Sequence, residues 1–183
     1  MIFFILFGFP LISWMYLNSG LSFHNQIKKE LEPKGELNAF YIQWDSISGW
    51  NSDSLRGKTS LFLFGSQNEV EGFDQFQKTL IKRLGSRKDL SIVQFVDIGI
   101  PAEKTNPIMR SIAIDSFLMK KMIAKTFHIP DTLSRAPIVL VDSSLQVRRY
   151  YTMEDSNTFV KVFEHLAFLL PPIKKDKVLL KNN

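Results

Sequence analysis

Residues 55–85 read LRGKTSLFLFGSQNEVEGFDQFQKTLIKRLG. Thr59 to Phe64 is an apolar run of strand length with glycine on either side (Gly57, Gly65), the mark of a strand buried on both faces. After the turn Gly65-Ser66-Gln67-Asn68-Glu69, the residues Val70, Phe73, Phe76, Leu80, Ile81 and Leu84 recur at three- and four-residue steps. That spacing predicts an amphipathic helix ending near Gly85. A buried strand delivering the chain through a short turn onto a helix N-terminus is a layout that presents whatever side chains the turn carries.

Downstream, Leu90 to Ile98 (LSIVQFVDI) is a second buried strand. Gly99 to Ile114, with Pro101 and Pro107, reads as a long connection. Asp115 is placed to cap a helix carrying Phe117, Leu118, Met122, Ile123 and Phe127 on one side, ended by Pro130. Ile138 to Val141 is a third strand. Asp142-Ser143-Ser144 turns the chain, and Val147 to Tyr151 returns as a hairpin partner. Glu154 to Leu170 closes as an amphipathic helix stopped by Pro171-Pro172. Upstream, Phe40 to Trp44 is a further strand candidate. The order predicts an α/β fold in which helices cover both faces of a mixed central sheet: crossovers make parallel pairs, and the last two strands form an antiparallel hairpin.

The chain has 183 residues, a formal charge of +5 and no cysteine. Disulfide exchange, peroxidatic sulfur chemistry and a Cu(I) thiolate site are therefore excluded. Residues 1–17 (MIFFILFGFPLISWMYL) carry no charge and predict an uncleaved N-terminal transmembrane anchor, with Trp14 and Tyr16 at its interfacial end. A cleaved signal peptide is the rival, but it lacks a basic n-region and an A-x-A-like site. A buried core helix is the third reading, and no polar face supports it. Residues 18–39 read as a juxtamembrane tether with an amphipathic turn around Ile27 and Leu31. Residues 40–170 form the folded domain, and residues 171–183 a basic tail. Lys28, Lys29 and Lys34 follow the anchor, which by the positive-inside rule keeps that side cytoplasmic.

Three segments resemble the Sco-like (SenC-type) branch of the thioredoxin superfamily, membrane-tethered proteins that help assemble the copper centre of cytochrome oxidase. Leu55-Arg56-Gly57-Lys58 entering TSLFLFG is similar to the family's L-x-G-K before its first core strand. IVLVDSSLQVRRYYTMEDSNTF (residues 138–159) is similar to its L-I-D-x-x-G-x-I-R-x-Y-Y-D hairpin, and the N-terminal anchor with its tether is the third likeness. Peroxiredoxin-like and TlpA-like proteins share most of these cues. The resemblance implies a thioredoxin-like fold, a cis Pro137 facing the turn, and a domain on the periplasmic or extracytoplasmic side. The departures remove the family's metal ligands. No cysteine falls within 66–73, Leu133-Ser134-Arg135-Ala136 stands where a histidine is expected, and Leu145-Gln146 replaces the hairpin glycine.

Ser66, Gln67, Asn68, Glu69 and Pro137 then line a degenerate active-site cleft, with helix capping as the ordinary use of Ser66 or Asn68. Serine catalysis lacks a general base. His24, His128 and His165 lie in separate elements. Met109, Met119 and Met122 are soft donors whose spacing equally fits core packing. No metal site, cofactor or catalytic residue is expected, and the chain is read as a non-enzyme. The basic residues lack interleaved aromatics, which argues against nucleic acid. Arg148, Arg149, Tyr150 and Tyr151 form a candidate protein interface, one alternating pair of which is expected to be accessible. The partners expected are the membrane, through the N-terminal helix, and a protein. The function expected is a binding or assembly role, with a metallochaperone or enzyme using non-cysteine ligands as the alternative.

Overall fold

The structure is a computed structural model that describes residues 2–43, 49–65, 73–98, 108–133, 137–152 and 157–172, without the side chains of residues 2–6 and 74. The chain begins with helix α1 (Ile2–Glu30), followed by the short strand β1 (Gly35–Glu36) and a hairpin of β2 (Tyr41–Gln43) and β3 (Gly49–Asn51). Then come β4 (Thr59–Phe64), α2 (Phe73–Leu84), β5 (Leu90–Asp97), β6 (Met109–Ile114) and α3 (Ser116–Lys121). The last elements are β7 (Pro137–Val141), β8 (Gln146–Thr152) and α4 (Thr158–Leu169). Six strands form one mixed sheet in the order β1-β8-β7-β4-β5-β6.

β4 lies at the centre because every one of its residues can be buried. Leu61 and Leu63 face a core shared with α2, α4 and the end of α1, while Phe62 and Phe64 face the other core under the β2–β3 hairpin and α3. Phe127 is the hub of the second core, its ring 4.6 Å from that of Phe62 and 5.1 Å from that of Phe64. The turn into β4 is set by Gly57 at φ +81 after Arg56 at φ −57, ψ 135. This type II geometry, closed by the Lys58 amide on the Leu55 carbonyl, favours glycine at its third residue.

Three expectations are corrected. The segment read as a connection contains β6, which pairs parallel to β5 from Ile92–Met109 to Asp97–Ile114. Its burial is split between the two faces, Met109 in one core and Ile112 with Ile114 in the other, over only six residues soon after Pro107, so the prolines dominate the reading. β7 enters antiparallel to β4, because the chain first crosses to β6 at the far edge and is brought back in the opposite sense. Phe117, expected on the apolar side of its helix, is 79 % exposed. α3 gives way after one and a half turns to a π-helical turn (Met122–Thr126), which rotates Met122 and Phe127 rather than Phe117 into the core. The Asp115 cap is formed, its carboxylate accepting from the Leu118 amide at 2.8 Å.

α1 runs without interruption through the segment read as anchor and half of the tether. The turn expected around Ile27 and Leu31 is its last part, and both side chains are buried in the α2–α4 core. Among the described residues no helix is long and apolar enough to cross a membrane. Trp14, Met15, Tyr16 and Leu17 are nevertheless 60–79 % exposed, and four successive residues about 100° apart cover the whole circumference of a helix.

Candidate functional site

The end of β4 is where this layout presents a reactive group. Leu63 pairs with Ile138, and continuing that register sets Pro137 across from Phe64, one residue from the turn. Pro137 is buried and opens β7. Gly65, at φ +125, leaves the sheet with its amide on the Phe95 carbonyl. Ser66, Gln67, Asn68 and Glu69 lie outside the described residues. The Ala136–Pro137 bond involves Ala136, also outside them; no cis peptide bond occurs among the described residues.

Beneath the turn lies a polar network that the residue pattern does not single out. Gln94 of β5 donates through Nε2 to the Gly65 carbonyl at 3.3 Å. Its Oε1 accepts from Gln77 Nε2 at 2.9 Å and from Ser111 Oγ at 3.3 Å. Both glutamines are buried, so each amide needs these partners to offset its desolvation. The signal was present: Gln94 interrupts an inward-facing apolar run, and Gln77 shares the face of Phe73, Phe76 and Leu80. Carboxamides and a hydroxyl hold a carbonyl in place but transfer no electrons.

Arg148, Arg149, Tyr150 and Tyr151 are brought together, but by the chain itself. A bulge at Leu140/Val141 makes Arg148 the extra residue of β8 and breaks the strict alternation expected there. Arg148 donates to Asp142 Oδ2 at 2.7 Å and to the Leu31 carbonyl at 3.1 Å. Arg149 meets the Glu30 carboxylate at 2.7 Å and the Glu30 carbonyl at 3.3 Å. Tyr150 donates to the Phe127 carbonyl at 2.8 Å. Tyr151 is buried and hydrogen-bonded to His165 Nδ1 at 2.7 Å, and none of the four is exposed. The accessible pair expected here is corrected: α1 occupies that face, and the arginines strap its end to the sheet.

The strap is electrostatically ordered. A hydrogen bond from Gln26, ahead of the Arg149 charge, holds the Glu30 carboxyl below its ordinary value against the opposing cost of burial. Burial first, and Arg149 second, push His165 below the ordinary imidazole range. Burial raises Tyr150 and Tyr151 above the ordinary phenol range. A neutral ring protonated at Nε2 satisfies both neighbours: Nδ1 accepts from Tyr151, and Nε2 faces Glu30 at 3.5 Å. His24 packs on Phe168 and His128 meets the Asn38 amide at 3.0 Å, so the three histidines stay apart. Met109 and Met122 are buried in opposite cores. Among the described residues no three His, Cys, Asp or Glu side chains gather as a metal group would require.

No protein-family model matches the chain, and no curated protein sequence does. Solved structures do. BsSco, described as a member of the Sco family of cytochrome c oxidase assembly proteins, superposes with a TM-score of 0.56 at 15 % identity, over 74 % of this chain and 94 % of its own. A SCO1/SenC family lipoprotein from Bacillus anthracis gives 0.54 at 16 %, covering 75 % and 97 %. A putative protein disulfide isomerase from Bacteroides thetaiotaomicron gives 0.53 at 13 %, covering 76 % and 91 %. The fold is thioredoxin-like, and Sco/SenC proteins stand among its structural neighbours together with thiol oxidoreductases.

Proposed function

We propose that this chain is a membrane-attached thioredoxin-fold protein that acts by binding, as an assembly factor for a respiratory complex, without thiol chemistry. One observation carries the reading: Gly65 and Pro137 still frame the turn at the end of β4, while the whole chain contains no cysteine. The likeness to a structure described as belonging to a family of cytochrome c oxidase assembly proteins supports the class of partner. Ser66 to Glu69 make the contact surface, with the buried Pro137 at the base of the cleft, and the domain stands on the extracytoplasmic side. Residues 7–23 give about 25 Å of helix with apolar side chains exposed on every side, and in sequence Ile2 to Leu6 continue that character. A protein groove covers one stripe of a helix, whereas lipid covers all of it.

The test is genetic and chemical together. Deleting the gene lowers the amount of assembled cytochrome oxidase, and the full chain restores it; unchanged oxidase after deletion overturns the assembly role. Titrating the detergent-solubilised full chain with Cu(I) discriminates the metallochaperone alternative. Stoichiometric binding lost in Met119→Leu or His128→Ala establishes that alternative in place of binding alone. A C-terminal reporter that is active only in the cytoplasm sinks the extracytoplasmic placement.

A further inference from the structure

The sheet end opposite the Gly65 turn holds a cleft of about 790 Å³. Its floor is apolar (Trp50, Leu55), and its rim carries Lys58, Lys88 and Arg110, all exposed. No carboxylate among the described residues lines it. Arg87, also on the rim, is held by Asp89 through hydrogen bonds at 2.8 and 2.6 Å, so its charge is locally balanced. Lys58 and Lys88 appear in no ion pair among the described residues.

The same end is where α1 leaves the domain. α4 begins beside the end of β8, where the Thr158 hydroxyl donates to the Thr152 carbonyl. It finishes at the cleft rim, where Arg87 donates to the Pro171 carbonyl at 2.6 Å. Along α1, Glu30 lies opposite His165, and His24 lies against Phe168, nearer the end of α4. α1 therefore runs antiparallel to α4. Traced back from His24, residues 2–23 pass beyond the cleft end of the domain by about 33 Å of helix.

We propose that this cleft seats the headgroups of anionic phospholipids, docking the domain face-on against the bilayer that α1 enters. The inference rests on the membrane attachment proposed above, and adds the surface that touches the lipid and the lipid class it selects. An apolar helix leaving the domain beside a cleft whose rim carries Lys58 and Lys88 brings those cations to the headgroup layer, where each contributes independently of the helix.

The chain lacks cysteine, so Ser86→Cys on the rim and Phe117→Cys on α3 at the far end each give a unique spin-labelling position. The labelled full chain is reconstituted in phosphatidylcholine vesicles with and without phosphatidylglycerol, and collision with a headgroup-attached nickel chelate is read. The Ser86 label is expected to contact the headgroup layer in the anionic vesicles. Docking should weaken roughly fivefold for each of Lys58→Gln and Lys88→Gln, with the Phe117 label silent throughout. Equal collision at both labels, or no response to lipid charge or to the lysine variants, overturns the docking. Flotation separates the two readings. Co-flotation with neutral vesicles supports attachment through α1 whatever the label reports; flotation only with anionic vesicles, lost in the lysine variants, supports the cleft and overturns the anchor. No flotation with either overturns both. A response of the Ser86 label to inorganic phosphate alone, without vesicles, indicates a soluble-anion site and overturns the lipid assignment.

Discussion

Ser60 Oγ is the one buried side-chain oxygen or nitrogen among the described residues that lacks a hydrogen-bond partner. It sits in β4 between Ser91 and Val141, where water does not reach it. Ser60→Ala removes a desolvated hydroxyl and little volume, so the urea midpoint should rise by the equivalent of about 1 kcal/mol at unchanged slope. His165 has the opposite character, a buried group whose partners are all present. Its folded pKa lies below the ordinary 6.5 of the unfolded chain, so below that value the unfolded state binds the extra proton. Its contribution to stability is complete above pH 6.5 and is lost as the pH falls through the folded pKa, with a slope of up to about 1.4 kcal/mol per pH unit. Urea unfolding at pH 7 and pH 5 should show the loss in the wild type and a flatter profile in His165→Gln. Glu30 adds a loss of the same sign only below its ordinary 4.5. None of these assignments was legible in the sequence. The partners of Arg148 and Arg149, Leu31 just past α1 and Glu30 at its end, lie 117 and 119 residues away, and a local pattern carries no such distance.

At the scale of elements, the hairpin between β7 and β8 explains a departure noted from sequence. Leu145 occupies φ +65 where a glycine is ordinary, yet its side chain is buried in the second core. Leu145→Gly relieves about 1 kcal/mol of backbone strain and gives up about 2–4 kcal/mol of packing, so thermal unfolding should show a net loss. The last turns of α1 behave likewise as part of the domain. Ile27→Ala and Leu31→Ala should each cost about 2–3 kcal/mol by chemical denaturation. A chain begun at residue 40 lacks Ile27, Leu31, Leu37 and β1 together, and should melt roughly 20 °C below one begun at residue 24. β4, β5 and β7 were legible as apolar runs of strand length, α2 from its three- and four-residue apolar spacing, and β8 as the return of a tight turn. β6 and the continuation of α1 were not: prolines masked the first, and the mixed charges of residues 28–32 read as a tether until Arg149 and His165 came to meet Glu30 from elsewhere in the chain.

At the scale of the molecule, two ends of one sheet carry different business. The turn after β4 and the cleft before it are separated by a strand of six residues, about 20 Å. Removing residues 2–23 should leave circular dichroism of the domain intact and release it from membranes into the soluble fraction, because among the described side chains only those of residues 7–23 are apolar and exposed around a whole circumference. The candidate site was legible as a position, from the strand-turn-helix layout, but its supporting glutamines were not, because Gln77, Gln94 and Ser111 meet only once α2, β5 and β6 are side by side. The unbroken passage of α1 from its bare segment to buried Leu31 has a mechanical meaning. A protein hung on a loose leash sweeps a hemisphere; one mounted on a stiff mast keeps a single altitude and bearing. Under the proposed membrane attachment, whatever meets the far rim of this domain arrives at that height, facing down.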